Sequence, residues 1–162
     1  MPAWETFAEI TGGAAATLTG LLFVAVSIRV DHIARSQELR NRAAQTLCLF
    51  GVVLITAVLL AIPGQAYRTL GLELIVLAVI TSVSLYLLDR RAKINRSSEP
   101  IARVLEVLAP NQVTSVLLLV PGVLLALGER AGLYVLIVPM LEALVGGVAN
   151  AWLFLTKITD PQ

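Results

Sequence analysis

The chain has 162 residues, 57% of them hydrophobic and only 14% charged, with a mean hydropathy of +0.85. A soluble domain of this size carries about 25% charged residues, so the composition argues for a bilayer as solvent and against a soluble globular fold. The net charge of +1 argues against a general nucleic-acid binder, and a single cysteine, Cys48, excludes an internal disulfide and a cysteine metal cluster.

A spanning helix needs roughly 20 apolar residues. The chain therefore has room for about five spans and no separate soluble part, and residues 1–162 are expected to form one transmembrane helical-bundle domain. The first apolar segment runs from about Trp4 to Ile28. Its opening, "MPAWETFAEI", carries Glu5 and Glu9 and has no basic residue before Arg29. A secretory signal peptide begins with basic residues, so this segment is expected to be a retained helix. Gly12, Ala16 and Gly20 recur at intervals of four, with Glu9 just before them. Small residues let membrane helices approach closely, so this stripe is the expected packing face, with Ile10, Leu18, Leu21, Leu22 and Ala25 toward lipid.

The second helix is expected from about Ala43 to Ile62, stopped by Pro63-Gly64, and the third from about Thr69 to Leu88. The third bears Glu73, Thr81 and Ser84 along one stripe. Next, "SSEPIARVLEVLAP" places Ile101, Val104, Leu105 and Leu108 at i, i+3, i+4 and i+7. That spacing predicts a short amphipathic helix at about 99–109, lying in the membrane interface. The fourth spanning helix is expected from about Asn111 to Leu127 and the fifth from about Ala131 to Thr156. The fifth holds Pro139, Glu142, Ala143, Gly146, Gly147 and Asn150 on one side, a second small-residue seam.

Basic residues collect in cytoplasmic loops. Arg29, Arg35, Arg40 and Arg42 flank the first loop, Arg90, Arg91, Lys93, Arg96 and Arg103 the third, and Lys157 the C-terminal end. The opposite side receives only Arg68 and Arg130. This alternation predicts an all-α polytopic membrane protein with five transmembrane helices, the N-terminus outside and the C-terminus cytoplasmic.

Acids inside a membrane are costly and mark function. Glu142 falls about 16 Å along the fifth helix, near the midplane. Glu9 and Glu73 lie nearer the outer side, and Asn150 in the inner half. If these faces converge, Glu9 and Glu73, then Glu142, then Asn150 trace a polar track suited to a cation or a proton. Two other readings stand beside it: a neutral Glu142 donating a hydrogen bond across the seam, and a salt bridge to an Arg on a partner subunit. Pro139 and Pro121 free the carbonyls of Val135 and Leu117, which can kink a helix or hold water or a cation.

No HExxH, GxSxG or P-loop pattern occurs. His32 is the single histidine and lies at a helix end. No catalytic residue, metal site or cofactor is expected, and the chain does not read as an enzyme.

The stretch "GGAAATLTGLLFVAVSIRVDHI", residues 12–33, resembles the opening helix of a group of small bacterial integral membrane proteins. Their pattern is G-A-A-A-x-L-T-G-L-x-F-V-A-x-S after an aromatic and acidic start, and some are described as modulators of the FtsH membrane protease. The likeness covers mainly this helix and the five-span layout. It implies a place in the bacterial cytoplasmic (inner) membrane, and no reaction, ligand or catalytic residue.

Two functions follow as expectations. One is a small oligomeric channel or transport protein for cations or protons, with Glu142 at the midplane, Glu9 and Glu73 at the outer mouth and Asn150 toward the inside. The other is a non-conducting accessory or regulatory subunit of a larger membrane complex. Both need partners beyond the lipid bilayer: a homo-oligomer, or a larger complex docked through the first and fifth helices.

Overall fold

The computed structural model describes residues 2–28, 30–93 and 110–159. Among them the secondary structure is entirely helical. The helices are α1 (Pro2–Ile28), α2 (Val30–Arg35), α3 (Gln37–Leu60), α4 (Tyr67–Lys93), α5 (Pro110–Ala126) and α6 (Ala131–Thr159). The amphipathic helix expected at about 99–109 lies outside the described residues.

Local chemistry sets the ends. Ser36 caps α3, its hydroxyl accepting from the Leu39 amide at 3.4 Å. The cap starts α3 at Gln37, earlier than the apolar run alone predicts, so Leu39 and Asn41 become buried residues of its first turns. Pro63 and Gly64 make the α3–α4 turn, with Gly64 at φ 69°. The α5 C-terminus closes as a Schellman motif. Gly128, at φ 92°, bonds back to the Leu125 carbonyl at 2.9 Å, and Glu129 bonds to Leu124 at 2.9 Å.

Four helices are long and apolar enough to cross a membrane: Trp4–Ile28, Leu39–Leu60, Tyr67–Leu88 and Ala131–Trp152. The fourth apolar helix, α5, is shorter at 17 residues. At ~1.5 Å per residue it covers about 25 Å, against about 30 Å for a hydrocarbon core.

Helices α3, α4, α5 and α6 touch in cyclic order and enclose a common interior, while α1 lies outside the ring, mainly against α3. The turns at Ala61–Ala66 and Leu127–Arg130 gather at one end with Trp4. The opposite end holds α2, the last turn of α4 with Arg90, Arg91 and Lys93, and the last turns of α6 with Lys157. These are called the acidic and basic ends below, because Glu5 and Glu129 are exposed at the first.

The exterior is apolar. Ile10, Leu21, Val24, Leu72, Val76, Ile80, Val116, Val138 and Val145 are all exposed. Tyr67 and Tyr134 stand at one end, and Tyr86 and Trp152 at the other. Along α4 and α6 these pairs are ~27–28 Å apart, the spacing of the two interfacial aromatic belts of a membrane protein. Arg130 lies 5.4 Å from the Tyr67 ring and Arg90 5.7 Å from the Tyr86 ring, so each belt has a cation over an aromatic face.

Water does not drive apolar faces together in lipid, so close packing must hold the helices. The tightest described glycines join α4 to α5. A Cβ on Gly71 would sit 2.3 Å from the Ala126 nitrogen and 2.7 Å from the Gly122 carbonyl oxygen. One on Gly122 would meet the Gly71 carbonyl oxygen at 3.2 Å. At Gly132 a Cβ would lie 2.9 Å from the Pro121 carbonyl oxygen, which ties α5 to α6.

Gly71→Ala is therefore expected to destabilise the fold by about 1–3 kcal/mol, read as a lower midpoint of denaturant unfolding in detergent. Gly13→Ala and Gly20→Ala meet nothing within 4 Å and are expected to leave that midpoint unchanged or raise it slightly.

Candidate functional site

Glu142 is carried on α6, one turn past the buried Pro139. Its two oxygens have different surroundings. Oε2 accepts a hydrogen bond from the Thr114 hydroxyl of α5. Oε1 lies over Gly146, 3.7 Å from where a Cβ there would sit, and Leu49 of α3 is 3.9 Å from that same point. The carboxyl thus sits inside the ring, between α5 and α3. Thr114 is fully buried and Glu142 half-buried. Thr46 and Thr81 return their hydroxyls to their own helices, at the Arg42 carbonyl (2.9 Å) and the Leu77 carbonyl (2.7 Å). The Thr114 bond instead joins two helices.

Depth follows from counting along each helix from the acidic-end turns at ~1.5 Å per residue. Glu142, Thr114, Ser115, Thr81 and Thr46 all lie ~16–21 Å in, forming one polar belt near mid-depth. Thr46, Thr81, Thr114 and Ser115 are each no more than 3% exposed. Ser115 Oγ is buried without a hydrogen-bond partner, a condition native proteins rarely leave uncompensated. Farther toward the basic end lie the buried Gln45 and Asn41, whose Nδ2 is likewise unpartnered, and the half-buried Asn150.

The other acids of the expected track are elsewhere. Glu73 is half-buried near the acidic end, accepting from the Gln65 amide beside the α3–α4 turn. Glu9 is exposed on the outer side of α1. Val53, Leu74, Leu77, Leu118, Leu136 and Met140 occupy the depths between Glu73 and Glu142, each at most 8% exposed. The chain brings Glu142 to Thr114, keeps Asn150 two turns farther on the same flank, and leaves Glu9 and Glu73 separated from both by an apolar layer.

The expected packing residues divide as well. On α6, Ala143 is fully buried, Gly147 lies against the Phe50 ring, and Gly146 is half-buried beneath the Glu142 carboxyl. On α1, Gly12 packs on Ala57, where an added Cβ would be 3.0 Å from the Ala57 Cβ. Ala16 and Gly20, however, are exposed. The face of α1 that enters the bundle is Ala8, Thr11, Ala15 and Leu22, about one residue around the helix from the expected stripe. Leu22, expected toward lipid, is 7% exposed.

Sequence reasoning missed Thr114 as the partner of Glu142 and Gly71 and Gly122 as the α4–α5 contact. A threonine near a helix start gives no sign of which helix it will meet, and an isolated glycine in each helix makes no periodic pattern. Among the described residues no group of three or more His, Cys, Asp or Glu could hold a metal ion. An apolar recess of about 220 Å³, lined by Leu18, Leu22, Phe50, Val148 and Trp152 among others, opens between α1 and α6 and contains no acid.

The chain matches no protein-family model, and no curated protein or solved structure is significantly similar to it.

Removing the Thr114 donor leaves the Glu142 oxygen unsatisfied in the interior. Thr114→Val is expected to cost about 0.5–2 kcal/mol in detergent unfolding, and Thr114→Ser, which keeps the hydroxyl, to cost less. Equal losses in the two variants would show that the bond contributes nothing to stability.

Proposed function

We propose that the chain is a small integral membrane protein that handles a proton or a monovalent cation at Glu142. The observation that carries this reading is the Glu142 carboxyl, held by Thr114 inside the four-helix ring at mid-depth. A lone carboxylate neutralises one positive charge. A divalent ion would leave an uncompensated charge in a medium where that is costly. Hydroxyl, amide and helix-carbonyl oxygens surround the belt, and Pro121 and Pro139, both buried within their helices, each free one carbonyl.

In this reading α5 is a fifth span. It lies antiparallel to α4, fixed by the Gly71 and Gly122 contacts at the acidic end, and its modest shortfall in length is within what a bilayer accommodates by local thinning. The basic end faces the cytoplasm, following the bias of Lys and Arg, with the N-terminus outside. The resemblance of residues 12–33 favours the bacterial inner membrane. The exposed small residues of α1, Gly13, Ala16, Thr17 and Gly20, support assembly with further copies or with another membrane protein.

That same α1 face favours a second reading, a non-conducting accessory subunit. Its spanning segment is only 17% buried, against 33–39% for the other three, and it carries the exposed Glu9. The two readings separate by experiment. In proteoliposomes, wild type is expected to pass protons or monovalent cations down an imposed gradient, and Glu142→Gln to lose that flux while assembling alike. Absence of wild-type flux under every gradient overturns transport. Ala16→Leu, which crowds only the outward face, is expected to lower the assembled mass in detergent without lowering the unfolding midpoint.

A further inference from the structure

The interior of the ring is divided by depth, and the division is not symmetric about Glu142. On the acidic side, the layer of Val53, Leu74, Leu77, Leu118, Leu136 and Met140 is apolar and closed, with exposures of 0–8%. These residues come from all four ring helices, so no helix leaves a gap in the layer. On the basic side the interior changes character. Gln45 and Asn41 are buried amides, and the Asn41 Nδ2 has no hydrogen-bond partner.

On α6, Glu142, Gly146 and Asn150 form a half-buried flank beside the buried face of Leu136, Met140, Ala143 and Gly147. Glu142 sits at the boundary, with Oε1 turned over Gly146, one turn nearer the basic end. A Cβ on Gly146 would make only ordinary contacts, 3.7 Å from that Oε1 and 3.9 Å from Leu49, so a small side chain fits there beside the carboxyl.

We infer that Glu142 is the blind end of a polar half-channel that opens only at the basic end, with the Leu/Val/Met layer as its insulating floor. The occupant is the proton or monovalent cation of the functional reading above, on which this inference rests. The reason for the asymmetry is physical. An ion leaving water for mid-membrane depth needs polar groups along its route, and on the basic side of Glu142 the chain places Asn41, Gln45 and Asn150. Beyond Glu142 an ion would face six apolar side chains, and the buried hydroxyl of Thr56 and the amide of Gln65 lie only on their far side, next to the acidic-end turn. Passage to the other side then requires the floor to part. The proline-broken helices α5 and α6, which supply Leu118, Leu136 and Met140, are the elements placed to part it.

Side-specific thiol labelling tests this without any flux assay. In a Cys48→Ala background, single cysteines are introduced as Gly146→Cys in the half-channel and Met140→Cys in the floor. Ile62→Cys and Arg90→Cys mark the acidic and basic ends. A charged, membrane-impermeant methanethiosulfonate is added to either face of reconstituted vesicles. Gly146→Cys is expected to react from the Arg90 side alone, and Met140→Cys from neither. Reaction of Gly146→Cys from the Ile62 side, or from neither side, overturns the half-channel, as does reaction of Met140→Cys from either side. Should Met140→Cys fail to fold, Leu136→Cys serves the same purpose. Flux without one-sided labelling removes the half-channel and keeps transport; one-sided labelling without flux does the reverse.

Discussion

The backbone contact between α4 and α5 at Gly71 and Gly122 sets the geometry on which the rest of the bundle depends. In lipid there is no hydrophobic gain from pressing two apolar helices together, so position along and around each helix is decided by where backbones can touch. These two glycines let the chains meet within van der Waals range and so fix the height of α5 against α4. The Gly128 cap and the Gly132 contact then deliver α6 antiparallel to α5. With both heights fixed, Thr114 and Glu142 fall at the same depth and can bond. The polar site is thus downstream of a steric one.

Much of the fold was legible in the sequence because lipid is a severe solvent. Apolar runs punctuated by Pro63-Gly64 and Gly128 had to be helices, and the described helices follow them closely. The inward aspect of Glu142 was legible too, because α6 is asymmetric: small and polar residues share one side and Leu and Val the rest. Helix α1 offered no such asymmetry. Gly12, Gly13, Ala14, Ala15, Ala16 and Gly20 surround it on several sides, so composition could not say which of two small faces would find α3. The face that won includes Ala15 and Leu22; the other, with Ala16 and Gly20, carries Glu9 outward.

Convergence of side chains from different helices was the least legible part. Sequence spacing orders residues along one helix and around it, but says nothing of the relative height of two helices joined by a turn. The expected track from Glu73 to Glu142 assumed that polar stripes meet. Instead Glu73 turns to Gln65 beside its own turn, and six apolar residues fill the depths between. Thr114 emerged as the Glu142 partner only once the α4–α5 and α5–α6 registers were known.

The order of the helices along the chain carries a consequence for how the protein is made. The contacts α1 with α3, α3 with α4, α4 with α5 and α5 with α6 join segments that are near neighbours in sequence, and the α3–α6 contact closes the ring. A chain emerging from the ribosome releases α6 after α3, α4 and α5. By then α5 has been synthesised, and the hydroxyl of Thr114 precedes the acid it will hold. The costly residue therefore enters the bilayer when its partner and three walls of its enclosure have already been made, and the burden of carrying a carboxyl through the insertion machinery falls after α1 to α5 are in place.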